Sequence, residues 1–178
     1  MIRLFAALPV PYDIAEGLAR RQQGLPRARW RPLEALHITL RFFGELSEPS
    51  AADLDAALAG VTVPPFDLSL EGVGMFGEDD HMRAVWAGVS ASEPLKRLAL
   101  KCENAARRVG LKPEGRVYRP HVTLAYLRGS PPDRIAAWLQ GHNLLQSPAW
   151  RATEYHLYSS WSGPDGARYD VERTYPLT

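Results

Sequence analysis

His37-Ile38-Thr39-Leu40 and His121-Val122-Thr123-Leu124 repeat one phrase 84 positions apart in a chain of 178 residues. Each phrase lies in a run of β-formers: Leu36–Phe43 (LHITLRFF), stopped by Gly44, and His121–Leu127 (HVTLAYL). Residues i and i+2 of a strand share a face, so each His and Thr project together. Ile38 and Leu40, and likewise Val122 and Leu124, then point into a core. A shuffled chain of this composition contains about 0.02 such His-x-Thr-Leu tetrapeptides, so finding two signals a built repeat.

The segments around the two phrases recur in the same order. In the first pass, Arg3–Leu8 predicts a strand and Asp13 opens a helix carrying Ile14 and Leu18. Ser47 precedes a second helix with Leu54 and Leu58 inward, and Phe66–Val73 alternates as a strand. In the second pass, Arg83–Val89 is the strand, and Ser92 begins a helix with the apolar stripe Leu95, Leu98, Ala99, Cys102, Ala106 and Val109. Ser130-Pro131-Pro132-Asp133 opens another helix, and Trp150–Ser160 and Ala167–Leu177 are the closing strands. Alternating strands favour antiparallel sheets over a doubly wound sheet. The pattern predicts an α+β fold: one bilobal domain over 1–178, with pseudo-two-fold strand–helix–strand units in halves near 1–80 and 81–178 and strands exchanged between lobes.

Composition narrows the function. Hydrophobic residues make up 46% and charged residues 23%, enough for a packed core. A formal charge of +1 argues against an extended nucleic-acid surface, while leaving room for a pocket that holds one phosphate. The charge is uneven: 61–95 carries one basic and six acidic groups, and 96–119 carries eight basic and two acidic. The plain reading of the second segment is a solvated helix face and loop; the functional alternative is a basic rim for a polyanion. Cys102 is the sole cysteine, which rules out an intrachain disulfide and a cysteine zinc knuckle, and its place on the apolar stripe makes it a core thiol. No 18-residue uncharged apolar run occurs, so the expectation is a cytoplasmic protein with no membrane segment.

Two imidazoles and two hydroxyls suit phosphodiester cleavage. A neutral histidine takes a proton from water, a charged one protonates the departing oxygen, and the threonines donate to the non-bridging oxygens. Two histidines without a third ligand make an incomplete metal site, so no metal and no cofactor is expected.

These motifs resemble the two-histidine (2H) phosphoesterases, and within them the RNA 2′,3′-cyclic phosphodiesterases once described as 2′-5′ RNA ligases. The resemblance runs through RLFAALPVP at the start, Trp30, the two His-x-Thr blocks, Gly74-Met75-Phe76, Val85-Trp86-Ala87-Gly88-Val89, Leu157-Tyr158-Ser159-Ser160 and Gly166-Ala167-Arg168-Tyr169. It implies two lobes whose motifs face across a central cleft. The implied reaction opens a 2′,3′-cyclic phosphate at an RNA 3′ end to a 2′-phosphomonoester; a monomer is the expectation for the chain itself. His37 carries over as the acid for the 3′ oxygen and His121 as the base for water, although a histidine pair can exchange these roles in reverse ligation. Thr39 and Thr123 carry over as phosphate contacts. Many members have an arginine directly after HxTLA; here that position is Tyr126. Arg128 shares the parity of position 126, Arg41 shares that of His37 and Thr39, and Arg119 that of His121, so these three are the candidate phosphate arginines. Phe76, and more weakly Tyr12, are candidates for stacking on a terminal base. The competing functions are a phosphodiesterase for a small cyclic phosphate or a 2′-5′ oligonucleotide, and a non-catalytic RNA-binding module.

Overall fold

The structure, a computed structural model, describes residues 1–77, 83–164 and 166–178; the expected boundary between the halves falls outside them. The first half runs β1 (Ile2–Pro9), α1 (Tyr12–Ala19), β2 (Ala28–Trp30), a 3-10 turn (Leu33–Ala35), β3 (His37–Leu46), α2 (Glu48–Ala59), β4 (Phe66–Leu68) and β5 (Leu70–Phe76). The second runs β6 (Arg83–Val89), α3 (Glu93–Arg108), β7 (His121–Leu127), α4 (Pro132–His142), β8 (Trp150–Ala152), β9 (Glu154–Gly163) and β10 (Gly166–Pro176).

The strands form two four-stranded antiparallel sheets, ordered β10-β9-β1-β3 and β2-β7-β6-β5, plus the pair β4-β8. Each large sheet draws on both halves. β5 crosses to pair with β6, and β9 crosses to pair with β1, as pseudo-two-fold counterparts. β1 sits centrally and is buried on both faces, which explains its unbroken apolar run. Leu4, Ala6 and Leu8 join the main core, while Phe5 and Ala7 join a second cluster with Tyr158.

Helix starts follow local chemistry. Ser47 Oγ accepts the Ser50 N–H to cap α2, and Ser92 Oγ accepts that of Leu95 to cap α3. α1 and α4 instead begin after Pro11 and Pro131 without side-chain caps. The Ser130 hydroxyl, at the head of the segment expected to open α4, donates to the Pro26 carbonyl and does not cap the helix. Cys102 is fully buried on α3, and desolvation pushes its thiol up to about 12, which makes it inert packing.

The two motif strands carry the same irregularity. Opposite β1, Thr39 pairs with Ala7 and Arg41 with Ala6, leaving Leu40 unpaired. Opposite β6, Thr123 pairs with Trp86 and Ala125 with Val85, leaving Leu124 unpaired. A β-bulge resets the alternation of faces. Phe42 and Tyr126 therefore lie on the histidine faces, and Arg41 and Ala125 on the opposite ones.

Sheet packing at β6 depends on a missing side chain. A Cβ on Gly88 would stand 2.4 Å from the Glu71 carbonyl oxygen, a backbone atom with little room to yield. Gly88→Ala is expected to cost about 1–3 kcal/mol through overpacking. The check is the urea midpoint, which should fall with the m-value unchanged; a parental midpoint would contradict the close approach.

Candidate active site

The bulged strands present His37 and Thr39 from one sheet, and His121 and Thr123 from the other. All four side chains are half-buried. Neither threonine hydroxyl bonds another protein group among the described residues, so both donors remain available. His121 donates from Nδ1 to the carbonyl of Arg119, two residues upstream, at 2.7 Å. Because a carbonyl only accepts, this bond fixes the tautomer and leaves Nε2 unprotonated in the neutral ring. The carbonyl of Ala35, also two residues upstream, bonds His37. The repeat thus duplicates the orienting contact as well as the imidazole.

Each ring is walled by aromatics, including one from the exchanged strand. His37 lies against Phe5 at 4.9 Å, Tyr158 of β9 at 5.9 Å and the edge of Tyr169 at 5.4 Å. His121 meets Phe76 of β5 edge-on at 4.7 Å and Trp86 at 5.9 Å. Tyr158 and Phe76 are pseudo-symmetric counterparts: Tyr158 pairs with Phe5 on β1, and Phe76 with Ala84 on β6. The Trp86 indole packs over the bare Cα of Gly74, and its Nε1 is buried with no hydrogen-bond partner among the described residues. His156 shares a 3.1 Å hydrogen bond with the Tyr158 hydroxyl and so lies one ring removed from His37.

This environment favours neutral imidazoles. Burial is the main cause that lowers His37 to about 4; the Ala35 carbonyl opposes it, and the charges of Arg31 and His121 add to it. Burial also lowers His121, against the pull of the Arg119 carbonyl. The charge of His121 is among the causes that lower His37, so the two imidazoles lie near enough to act on one another.

The arginines are distributed differently from the strand-parity reading. The bulge at Leu40 turns Arg41 to the far face, where it pairs with Glu103 and donates to the Phe42 carbonyl and, at 2.7 Å, to that of Lys112. Arg41 is therefore engaged outside the site. Arg119 is exposed on the loop ahead of β7, where strand parity does not apply, and its carbonyl is what touches His121. Arg128 is exposed past the end of β7, and its backbone N–H bonds the Arg27 carbonyl at 3.3 Å. Tyr12 is exposed on α1. Lys96, Arg97, Arg107 and Arg108 occupy the solvent side of α3, in keeping with the plain reading of that basic segment.

The arginine inside the site is one the sequence reading passed over. Arg31 follows β2 and is 9% exposed, with Nη2 donating to the Tyr169 hydroxyl at 3.1 Å. Its guanidinium carbon lies 5.5 Å from the ring centroids of both Tyr126 and Tyr169. It thereby spans the two sheets beside His37. The only sequence signal was the adjoining Trp30, because one of three arginines between Pro26 and Pro32 otherwise reads as loop surface.

A pair of lobes, each offering an oriented imidazole and a free hydroxyl to one site, defines a two-histidine phosphoesterase. The chain matches the 2′-5′ RNA ligase superfamily over residues 10–163 and belongs to it. It is 30% identical to the RNA 2′,3′-cyclic phosphodiesterase of Escherichia coli K12, across 99% of this chain and 97% of that protein. It is 41% identical to the RNA 2′,3′-cyclic phosphodiesterase of Aeropyrum pernix, in a match covering 54% of this chain and 56% of that one. Among solved structures, Escherichia coli LigT complexed with 3′-AMP superposes with a TM-score of 0.82 at 27% identity, covering 99% of this chain and 98% of that one.

Proposed function

We propose that this chain hydrolyses a terminal 2′,3′-cyclic phosphate on RNA to a 2′-phosphomonoester. The carrying observation is the duplicated site, in which bulge, threonine and carbonyl-oriented histidine recur in both lobes. The full-length likeness to RNA 2′,3′-cyclic phosphodiesterases supports the substrate class.

His121 takes a proton from water through Nε2 as the water oxygen bonds to phosphorus. The bond from phosphorus to the 3′ oxygen breaks, and that oxygen takes a proton from His37. Thr39 and Thr123 donate to the non-bridging oxygens, where charge shifts during the step. Burial and Arg31 hold His37 neutral in the free protein, so it acquires its proton with the phosphate, whose negative charge offsets the desolvation. Phe76, half-buried and already against His121, is the ring that stacks on a terminal base. In this reading the protein works as a cytoplasmic monomer on single RNA ends. No helix among the described residues is long and apolar enough to cross a membrane.

The direct test is chromatography of an oligonucleotide ending in 2′,3′-cyclic phosphate, which reports turnover and the side of ring opening together. A 2′-phosphate product is expected; an intact ring after prolonged incubation, with bound oligonucleotide, would favour a binding module. Hydrolysis confined to small cyclic nucleotides would reassign the substrate. Among the described residues no three His, Cys, Asp or Glu side chains gather as a ligand set. Turnover is therefore expected to persist unchanged in a strong chelator. Loss that only one divalent ion restores would overturn the two-histidine mechanism.

A further inference from the structure

We propose that Arg31 is the phosphate-binding cation of this site, taking from beside the neighbouring strand of the same sheet the role that the resemblance gives to an arginine at position 126. The inference rests on the phosphodiesterase reading above and adds a residue to it.

Three observations converge. First, Arg31 is nine-tenths buried, yet no carboxylate pairs with it among the described residues. A buried charge is costly unless it is paired, and its one side-chain partner is the neutral Tyr169 hydroxyl, which uses one of five N–H donors. The remaining fork is chemically suited to bidentate contact with phosphate oxygens. Second, the guanidinium lies against the ring of Tyr126, so the positive charge stands beside the position where the arginine is missing. Third, the backbone is braced to hold it there. The Arg31 N–H donates to the carbonyl of the bulged Leu124 at 2.8 Å. Gln22 Nε2 donates to both the Arg31 carbonyl, at 2.9 Å, and that same Leu124 carbonyl, at 3.0 Å. The bulge that aims His121 and Thr123 therefore also anchors Arg31.

Arg41, Arg119 and Arg128 offer no comparable arrangement, since the first is ion-paired and the others are exposed. The chemistry selected is a phosphodiester or phosphomonoester anion, engaged by a planar cation on the side of His37.

The test uses Arg31→Gln, Arg31→Lys and the double variant Arg31→Gln/Tyr126→Arg in the full chain, with turnover of the cyclic-phosphate oligonucleotide and competitive inhibition by inorganic phosphate as readouts. Arg31→Gln should lower kcat/KM roughly 10–10²-fold, mostly through KM, and weaken phosphate inhibition to a similar degree, the scale of a lost charged hydrogen bond. Arg31→Lys, which keeps the charge but not the fork, should fall between Arg31→Gln and the parent. Tyr126→Arg in the Arg31→Gln background should recover most of the loss, which a merely structural role for Arg31 would not allow. A folded Arg31→Gln or Arg31→Lys variant with parental KM and phosphate inhibition overturns the proposal. If Arg31→Gln fails to fold, Arg31→Lys and the double variant decide. Absence of turnover in the parent protein would overturn the functional reading instead, and calorimetric binding of inorganic phosphate would then decide this proposal: weaker binding in Arg31→Gln supports it and parental binding overturns it.

Discussion

His37→Ala and His121→Ala are each expected to lower kcat by about 10²–10⁴-fold on a cyclic-phosphate end, the usual scale for losing a general acid or base. The double variant should lose little more than the worse single one, because both groups serve one transition state. Thr39→Ala and Thr123→Ala should cost less, about 10–10²-fold, since each removes one donor and leaves proton transfer intact. Structure sets the control. His37 is packed among Phe5, Tyr158 and Tyr169, so its truncation opens a gap in that cluster. His37→Gln, which retains bulk and hydrogen bonding without a titratable imidazole, should remain folded and equally inactive. A folded double histidine variant that retains parental hydrolysis would falsify the mechanism.

The residues that carry this prediction were legible because a strand with one buried face writes its period into sequence. His37, Thr39, His121 and Thr123 alternate with the buried Ile38, Leu40, Val122 and Leu124. Duplication then told the site apart from ordinary core histidines. The length of α3 was equally legible, since its buried residues from Leu95 to Ala106 follow the helical period behind a serine cap.

What sequence period could not reveal was the place where the period breaks. A bulge is one unpaired residue, and Leu40 and Leu124 look like any inward leucine. Extending parity past them put Arg41 on the wrong face and hid why Tyr126 shares the site with His121. Exchange of β5 and β9 is likewise a long-range pairing with no local signature, so the walling of His37 by Tyr158 could not be derived from either half alone. Arg31 was missed for a related reason. Its burial comes from Tyr169, 138 positions away, and its backbone anchor is the bulge in β7.

The second large effect concerns pH: kcat/KM is expected to peak on the acid side of the ordinary histidine range and then fall about tenfold per unit as pH rises. The reactive form carries one proton on the histidine pair. Burial lowers His37 from 6.5 to about 4, and it lowers His121 from the same starting value. Above both values the free protein holds two neutral imidazoles, and the singly protonated fraction declines with every unit of pH. The limbs belong to the coupled pair rather than to either residue. Once substrate binds, its negative charge stabilises the imidazolium, so the alkaline limb of kcat should lie at higher pH than that of kcat/KM. The stability effect has the opposite sense. A histidine lower in the folded than in the unfolded chain stabilises fully above 6.5, and that contribution is lost as pH falls towards 4. Circular dichroism at each pH therefore separates acid unfolding from titration of the site. A folded protein whose kcat/KM is level from about pH 5 to 9, or rises across that range, would show that proton transfer by this buried pair does not limit the reaction.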